Sequence, residues 1–115
     1  MVREALPYIN ISKVYESLGE EFVAEKAPRN CVGHDSLGRL IMIEADGEED
    51  IALGLTLYEF TDLLIHHWNV VNAINVDGGG SSTTVYQGKV VDKPTCRDTP
   101  EECERAVTTI SCVVA

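Results

Sequence analysis

The stretch NAINVDGGGSSTTVYQG, residues 72–88, places an aspartate and three glycines directly behind a short apolar run. Ala73, Ile74 and Val76 predict a short buried strand, and Asp77 followed by residues 78–80 predicts an abrupt exit from it. Successive glycines let backbone N–H groups converge without obstruction by Cβ atoms, which favours an anion-binding nest beside Asp77. A tight turn with a solvated aspartate explains the same residues, so both interpretations stay open at this point.

The composition is that of one globular domain: 115 residues, of which 44% are hydrophobic and 24% are charged. The net charge of -10 repels phosphate backbones and anionic membrane surfaces, so we expect no nucleic-acid partner. No apolar run approaches the roughly 20 residues of a membrane helix. The opening MVREALPYIN also lacks the apolar centre of a signal peptide. The chain as written is therefore expected to carry neither a targeting segment nor a membrane segment.

Upstream of the glycine-rich stretch, the pattern predicts a hairpin and then a helix. CVGHD and LIMIEADG predict two strands joined by a turn centred on residues 36–38. Thr56-Leu57-Tyr58-Glu59 has the form of a capping box, and the apolar residues that follow it have helical spacing. We therefore predict a helix over about residues 57–68. Residues 1–28 are irregular and favour strand or loop.

After that helix the pattern favours strands to the end of the chain. VVNAINVD predicts a strand, TTVYQ and KVVD predict a hairpin around Gln87-Gly88, and the alternation in AVTTISCVV predicts a final strand. The predicted fold class is α+β, with a strand-rich mixed sheet and one main helix, in a single domain over residues 1–115.

GHD, residues 33–35, is the second candidate for chemistry. His34 and Asp35, at a strand end marked by glycine, can share a proton or contact a phosphate. Arg29 lies a few residues upstream and is a natural bidentate partner for a phosphate group. Ser81 and the hydroxyl residues after it can bind sugar or phosphate oxygens, or they can form a polar strand face. Each of these residues also fits a purely structural role.

The four cysteines, Cys31, Cys96, Cys103 and Cys112, have no CxxC spacing and no nearby histidine pair, so no metal site is predicted from them. Cys96 and Cys103 bracket a polar segment that contains a proline. This arrangement fits a small disulfide loop in an oxidising compartment, and two free thiols stay open as the alternative at this point. Asn10-Ile11-Ser12 is a formal glycosylation acceptor and indicates the same kind of compartment.

RNCVGHD, LGRL, EADG, GLTLYEF and VVNAINVDGGGSSTTVYQGKV occur in an order that resembles the phosphodiester glycosidase domain family. The resemblance covers residues 29–115, and it implies that the chain is the C-terminal portion of such a domain. Cys96, Cys103 and Cys112 reproduce a cysteine spacing of the family, and YINIS near the start is similar to its YINES. In the family, Cys112 pairs with a cysteine upstream of this chain, which leaves Cys112 and Cys31 either bridged to each other or free.

The resemblance implies hydrolysis of the phosphodiester that links C1 of N-acetylglucosamine to the 6-hydroxyl of mannose on N-glycans of lysosomal enzymes. Mannose 6-phosphate is then exposed. No cofactor is implied, and the setting is the secretory pathway, including the Golgi. The residues that match the family motifs would be catalytic (Asp77, His34 and Asp35) or would bind substrate and phosphate (Arg29, Gly78, Gly79, Gly80 and Ser81).

Two alternatives to this activity are kept. The chain could be an inactive or incomplete fragment that binds carbohydrate or phosphate, or a metal-dependent phosphodiesterase that uses His34, Asp35 and Asp77. Asn30 and Glu44 depart from the family pattern, since threonine and histidine are expected at these positions. Neither residue is therefore predicted to be functional.

Overall fold

A computed structural model describes residues 1–95 and 101–114 of the chain. The strands within these residues form a five-stranded antiparallel sheet, in the order β2-β1-β5-β3-β4, and a separate hairpin, β6-β7. Their bounds are β1 (Val2–Arg3), β2 (Leu6–Pro7), β3 (Arg29–Asp35), β4 (Leu40–Ala45), β5 (Val70–Val76), β6 (Val85–Tyr86) and β7 (Lys89–Val90).

The predicted main helix is confirmed as α3 (Leu57–His66), which is two residues shorter than expected. The capping box is present, because the Thr56 side chain accepts from the Glu59 N–H and the Glu59 side chain accepts from the Thr56 N–H. Phe60 and Leu64 are fully buried on the face of α3 that packs on the sheet. Each of these side chains contributes about 1.5–3 kcal/mol through burial.

The centre of the sheet is the pairing of β3 with its two neighbours. The predicted hairpin is confirmed, since β3 pairs with β4 from Arg29 opposite Ala45 to His34 opposite Leu40. The predicted strand before the glycines is confirmed as β5, which pairs with the other edge of β3. The predicted hairpin at Gln87-Gly88 is also confirmed, and both turn residues have positive φ angles, as a type I′ turn requires.

The N-terminal segment differs from the prediction. After β1 and β2 the chain forms two helices, α1 (Ile9–Glu16) and α2 (Glu20–Ala24), so strand or loop was wrong for residues 9–16 and 20–24. Only Ile9 and Val23 bury large side chains there, against Leu57 of α3. Other apolar residues of α1, such as Val14, face solvent, so the apolar positions in the sequence do not follow a helical period. The strand-rich α+β class is confirmed, with α1 and α2 in addition to the main helix.

The final strand predicted from AVTTISCVV is wrong for the described residues 101–114, where the structure has no strand. Ile110, Val113 and Val114 are strongly exposed, with Val114 at 90%. Alternation of apolar residues predicts a strand only where a sheet edge is available to pair with it. No described strand pairs with this segment. No helix among the described residues is long and apolar enough to cross a membrane.

Glycines from three separate segments converge on one buried pair of residues, Ala27-Pro28. A Cβ atom built on Gly47 would lie 2.4 Å from the Leu53 carbonyl oxygen and 2.8 Å from the Pro28 nitrogen. A Cβ atom on Gly54 would lie 2.4 Å from the Ala27 oxygen, and one on Gly78 would lie 2.7 Å from the Pro28 oxygen. The separate glycine motifs of the sequence thus build one junction, and β3 starts from it at Arg29.

Candidate active site

A cavity of about 630 Å³ opens between the end of β5, helix α2 and the glycine-rich turn. Its described lining contains three carboxylates, two guanidinium groups, one carboxamide and the turn itself. The lining residues are Phe22, Glu25, Arg29, Glu49, Asn75, Val76, Asp77, Gly78, Gly79, Gly80, Ser81 and Arg105. The structure therefore brings the DGGGS stretch and Arg29 together in one cavity. Both the enzyme and the phosphate-binding fragment considered from the sequence require this proximity.

The glycine-rich turn is a single 3₁₀ turn, Gly79–Ser81, that packs on Pro28. The Gly79 N–H donates to the Pro28 carbonyl at 3.1 Å, and the Ser81 N–H donates to the Gly78 carbonyl at 3.0 Å. Gly79 has a φ angle of 55°, which is costly for residues with a side chain. Close approach to Pro28 explains Gly78 and the left-handed conformation explains Gly79, and the N–H groups of Gly79 and Ser81 are already used within the fold.

Asn30 holds the two ends of this turn together. Its Nδ2 group donates to the Asp77 carbonyl oxygen at 2.8 Å and to the Ser82 hydroxyl at 2.9 Å. Ser82 is buried, whereas the Asp77 side chain is exposed at the cavity. The main chain of Asp77 is therefore fixed while its carboxylate is free to meet a ligand. The sequence missed Asn30 because its contacts, on residues 77 and 82, lie far along the chain.

Arg29 is a buried cation whose guanidinium is fixed by main-chain carbonyls. Its Nε donates to Leu55 at 3.1 Å, and its Nη2 donates to Phe22 at 3.0 Å and to Glu25 at 2.7 Å. None of these bonds uses Nη1. Burial lowers the pKa of Arg29, and the nearby carboxylates of Glu25 and Glu49 oppose that shift. The group is a positive charge held rigidly at the cavity wall.

His34 and Asp35 lie at the opposite end of β3 from this cavity. Residue 30 pairs with residue 76 whereas residue 35 pairs with residue 70, so Asp35 is roughly 16 Å along the sheet from the Asp77 end. The structure therefore does not place His34 or Asp35 beside Asp77. The three residues of the metal-dependent alternative are separated in the same way.

The Asp35 carboxylate closes the β3–β4 turn. It accepts from the N–H groups of Leu37 and Arg39 at 2.9 Å and from the Arg39 Nε at 2.6 Å. The N–H of Arg39, its guanidinium and the N–H of Leu37 lower the pKa of Asp35. His34 is exposed, and its Nε2 lies 2.9 Å from the Nδ2 of Asn72. These contacts are those of a stable turn and strand.

The predicted disulfide lies partly outside the described residues. Cys103 is disulfide-bonded, but Cys96 belongs to residues 96–100, so their pairing stays a prediction. Cys31 and Cys112 are free, as one of the two options for them required. Burial raises the pKa of the Cys31 thiol to about 11, so this group is neutral at physiological pH.

The predicted glycosylation acceptor, Asn10, is exposed on α1. Its Oδ1 accepts from the Tyr58 hydroxyl at 3.4 Å, and Ser12 of the same triplet is buried. Exposure leaves room for a glycan on Asn10, and the modification stays a prediction.

Glu44, Asp46 and Asp92 form an acidic cluster next to the β6–β7 hairpin, with one ligand atom of each within 4.8 Å of the others. The Thr84 hydroxyl donates to Glu44 Oε2, and the Thr84 N–H donates to Asp92 at 2.7 Å. Burial and the neighbouring Asp92 and Asp46 raise the pKa of Glu44 to about 7. The sequence did not indicate this cluster, because its members are separated by up to 48 positions along the chain.

Glu44 is expected to make folding stability fall as the pH rises. The folded state holds the Glu44 proton up to a pKa of about 7, whereas an unperturbed glutamate releases it near 4.5. The folded state thus binds more protons between these values, and the stabilisation present below pH 4.5 is lost as the pH rises through 7. Urea unfolding between pH 4 and 8 should show a component of this sign that is absent from the Glu44→Gln variant.

The control for this prediction is Glu104→Gln, which removes an exposed glutamate outside the cluster. Its unfolding free energy should follow the same pH dependence as the unsubstituted chain. An identical pH dependence in the Glu44→Gln variant would mean that Glu44 does not retain its proton in the folded state.

The family model for phosphodiester glycosidases matches residues 5–114. The mouse and human N-acetylglucosamine-1-phosphodiester alpha-N-acetylglucosaminidases are 38% and 36% identical to the chain, and each match covers 98% of it. These matches cover 23% of the relatives, so the chain spans about a quarter of their length.

Among solved structures, a similar one is the zebrafish N-acetylglucosamine-1-phosphodiester alpha-N-acetylglucosaminidase catalytic domain, auto-inhibited by its pro-peptide. It has a TM-score of 0.81 and 35% identity, over 92% of this chain and 37% of the zebrafish one. A hypothetical protein from Synechocystis has a TM-score of 0.65 and 26% identity, over 80% of this chain and 16% of its own. Both the sequence and the fold of the described residues thus match these proteins.

Proposed function

The chain belongs to the phosphodiester glycosidase family, and from that premise we propose that it contributes to hydrolysis of an N-acetylglucosamine-1-phosphodiester. The observation that carries the proposal is the cavity in which the exposed Asp77 carboxylate faces the same space as the fixed Arg29 cation. The substrate would be a sugar phosphodiester on N-glycans of lysosomal enzymes, and the product would expose mannose 6-phosphate. The named relatives support the N-acetylglucosamine part of this substrate.

The reaction breaks the bond between the anomeric carbon and the phosphate oxygen, and water supplies the new hydroxyl at that carbon. The leaving group is a phosphomonoester, which is stable as an anion and needs less protonation than an alcohol. Catalysis then depends on donors that stabilise the developing negative charge. Arg29 Nη1 is available for this role, because the bonds that fix the guanidinium use Nε and Nη2. Arg105 adds a second positive charge to the cavity wall.

Asp77 would act on the anomeric carbon as nucleophile, as general base for water, or as a stabiliser of an oxocarbenium ion. Its exposure at the cavity gives a substrate access to the carboxylate. The hydrogen bond from Asn30 to the Asp77 carbonyl limits the motion of the turn, so the carboxylate starts from a restricted position.

A second carboxylate is needed if the chemistry follows the usual glycosidase pair. Asp35 was the sequence-based candidate, but it closes a turn at the far end of β3. Glu25 and Glu49 line the same cavity as Asp77. We therefore assign the second role to one of these two glutamates, and we give His34 and Asp35 no part in the proposed mechanism.

The testing experiment measures release of free N-acetylglucosamine from an N-acetylglucosamine-1-phosphodiester by the purified, oxidised chain. Release above the rate in buffer supports hydrolysis by the chain. Saturable binding of a sugar phosphate without release would instead support the alternative, an incomplete fragment that binds carbohydrate or phosphate. The short span of the chain relative to its relatives keeps this alternative in place.

The setting of this activity would be the secretory pathway, in the Golgi or outside the cell. Cys103 is disulfide-bonded and Asn10 is exposed, and both facts fit an oxidising compartment in which glycans are attached. Pairing of Cys96 with Cys103 belongs to the same proposal.

A further inference from the structure

Two cavities share one wall. The cavity that holds Asp77 is next to a smaller one of about 260 Å³, which is lined mainly by apolar residues such as Ile9, Leu18 and Leu57, together with Ser12 and Glu16. Phe22 and Asn75 are the described residues that line both. We call the smaller space the apolar cavity. A ligand that reaches this wall from the Asp77 side thus meets one polar side chain with an apolar space behind it.

The polar side chain of the wall, Asn75, has an unpaired hydrogen-bond acceptor. Its Nδ2 donates to the Val76 carbonyl at 3.0 Å, and this bond fixes which end of the carboxamide is nitrogen. The Asn75 Oδ1 is buried, and it has no hydrogen-bond partner in the described part of the chain. A buried acceptor without a donor destabilises a fold, so such atoms generally have a reason to be retained.

Asn75 occupies a position in the sheet where an apolar residue is expected. It pairs across the strands with Cys31, and it shares the inward face of β5 with Ala73. Cys31 and Ala73 are both buried in the apolar core. An apolar residue would fill the same position without an unpaired acceptor. A role in packing therefore does not explain the carboxamide.

We propose that Asn75 is a specificity-determining residue that recognises the acetamido group of the substrate. The acetamido N–H donates to Asn75 Oδ1, and the methyl group of the same substituent enters the apolar cavity. A sugar hydroxyl would supply a donor but would leave the apolar cavity unfilled, whereas an acetamido group supplies both features. This inference rests on the proposed function, because it takes N-acetylglucosamine as the sugar.

Entry of the methyl group would require the Phe22 side chain to shift, because Phe22 forms the rest of the shared wall. Its side chain is 42% exposed, so core packing does not hold it in place. Its ring lies 5.1 Å from the Arg29 guanidinium, which keeps the aromatic face beside the cation. A shift of this ring opens the wall at Asn75 while Arg29 keeps its three carbonyl bonds.

The experiment compares binding of N-acetylglucosamine 1-phosphate and glucose 1-phosphate to the full chain by NMR titration. The unsubstituted chain should prefer the acetamido sugar by roughly tenfold, the effect of about one hydrogen bond and a buried methyl group. Asn75→Leu, which keeps the side-chain size, should remove most of that preference. Leu37→Ala, at the exposed β3–β4 turn, is the control and should keep the preference.

A second measurement needs no variant. Saturation of the protein methyl groups should transfer most strongly to the acetyl methyl protons of bound N-acetylglucosamine 1-phosphate, since the apolar cavity is lined by Ile9, Leu18 and Leu57. Equal affinity for the two sugars, no binding of either sugar, or strongest transfer to the ring protons would overturn the inference. Acetamido preference without hydrolysis would overturn only the proposed activity, and hydrolysis without acetamido preference would overturn only the role of Asn75.

Discussion

Asp77→Asn is expected to lower the rate of N-acetylglucosamine release by roughly 10²–10⁴-fold, the range for loss of a positioned catalytic acid or base. Asparagine keeps the shape of the side chain but cannot act as nucleophile, base or negative charge. The Asp77 side chain is exposed, and the bond that fixes the turn uses the main-chain carbonyl, so folding should be unchanged. The measurement is product release per enzyme molecule, beside the urea unfolding curve of each protein.

Asp62→Asn is the matched control, because Asp62 is exposed on α3 and does not line the cavity. It should release product at the same rate as the unsubstituted chain. If Asp77→Asn also keeps the full rate, Asp77 has no part in the mechanism. Glu25 and Glu49 would then be the remaining described carboxylates of the cavity to test by the same substitution to glutamine.

Local patterns in the sequence were sufficient for the elements that are stabilised locally. Helix α3 has its own capping box, and the β3–β4 hairpin has alternation and a turn of its own, so both could be predicted from neighbouring residues. Helix α1 has no such signal: Val14 and Tyr15 face solvent, and the segment packs mainly through Ile9. Its structure depends on tertiary contacts, which a single sequence does not show.

The candidate site was predicted for the residues that share one motif and for Arg29, which was a candidate partner for phosphate. Asp77 and the three glycines follow each other in the chain, and they lie together at the cavity. His34 and Asp35 were grouped with Arg29 because the three residues are close in sequence. Arg29 and Asp35 are, however, the first and last residues of an extended seven-residue strand, so they lie far apart in space. Asn75 was inside the quoted motif and was read only as part of a strand. Its inward position beside Ala73 was the available signal.

Contacts between distant segments were the least predictable part of the site. The Pro28 carbonyl accepts from Gly79, and Asn30 reaches Asp77 and Ser82, across more than 40 positions of sequence in each case. The glycines of these segments have no side chains, so no hydrophobic pattern indicates that they meet. Only the structure shows why glycine is needed there: Gly78 approaches Pro28 too closely for a side chain.

The largest effect on stability is expected from Gly33→Ala, at the centre of the sheet. A Cβ atom at this position would lie 2.2 Å from the Asn72 carbonyl oxygen and 2.8 Å from the Ala73 Cβ. Both contacts are with β5, so a methyl group forces the central strand pair apart. We expect a loss of about 3 kcal/mol or more, the upper end of the range for overpacked sites. Thermal and urea unfolding should both show this loss.

Gly19→Ala is the matched control, because a Cβ atom there would have no neighbour within 4 Å. Gly19 precedes α2 with φ -67° and ψ 148°, angles that alanine adopts without strain. Its substitution should therefore cost less than about 1 kcal/mol, the limit set by its position at a helix N-terminus. Similar losses for Gly19→Ala and Gly33→Ala would mean that loss of glycine itself, and not the β3–β5 contact, determines the effect. A large loss for Gly33→Ala alone would show that the sheet carrying Asp77 and Arg29 depends on that close pairing.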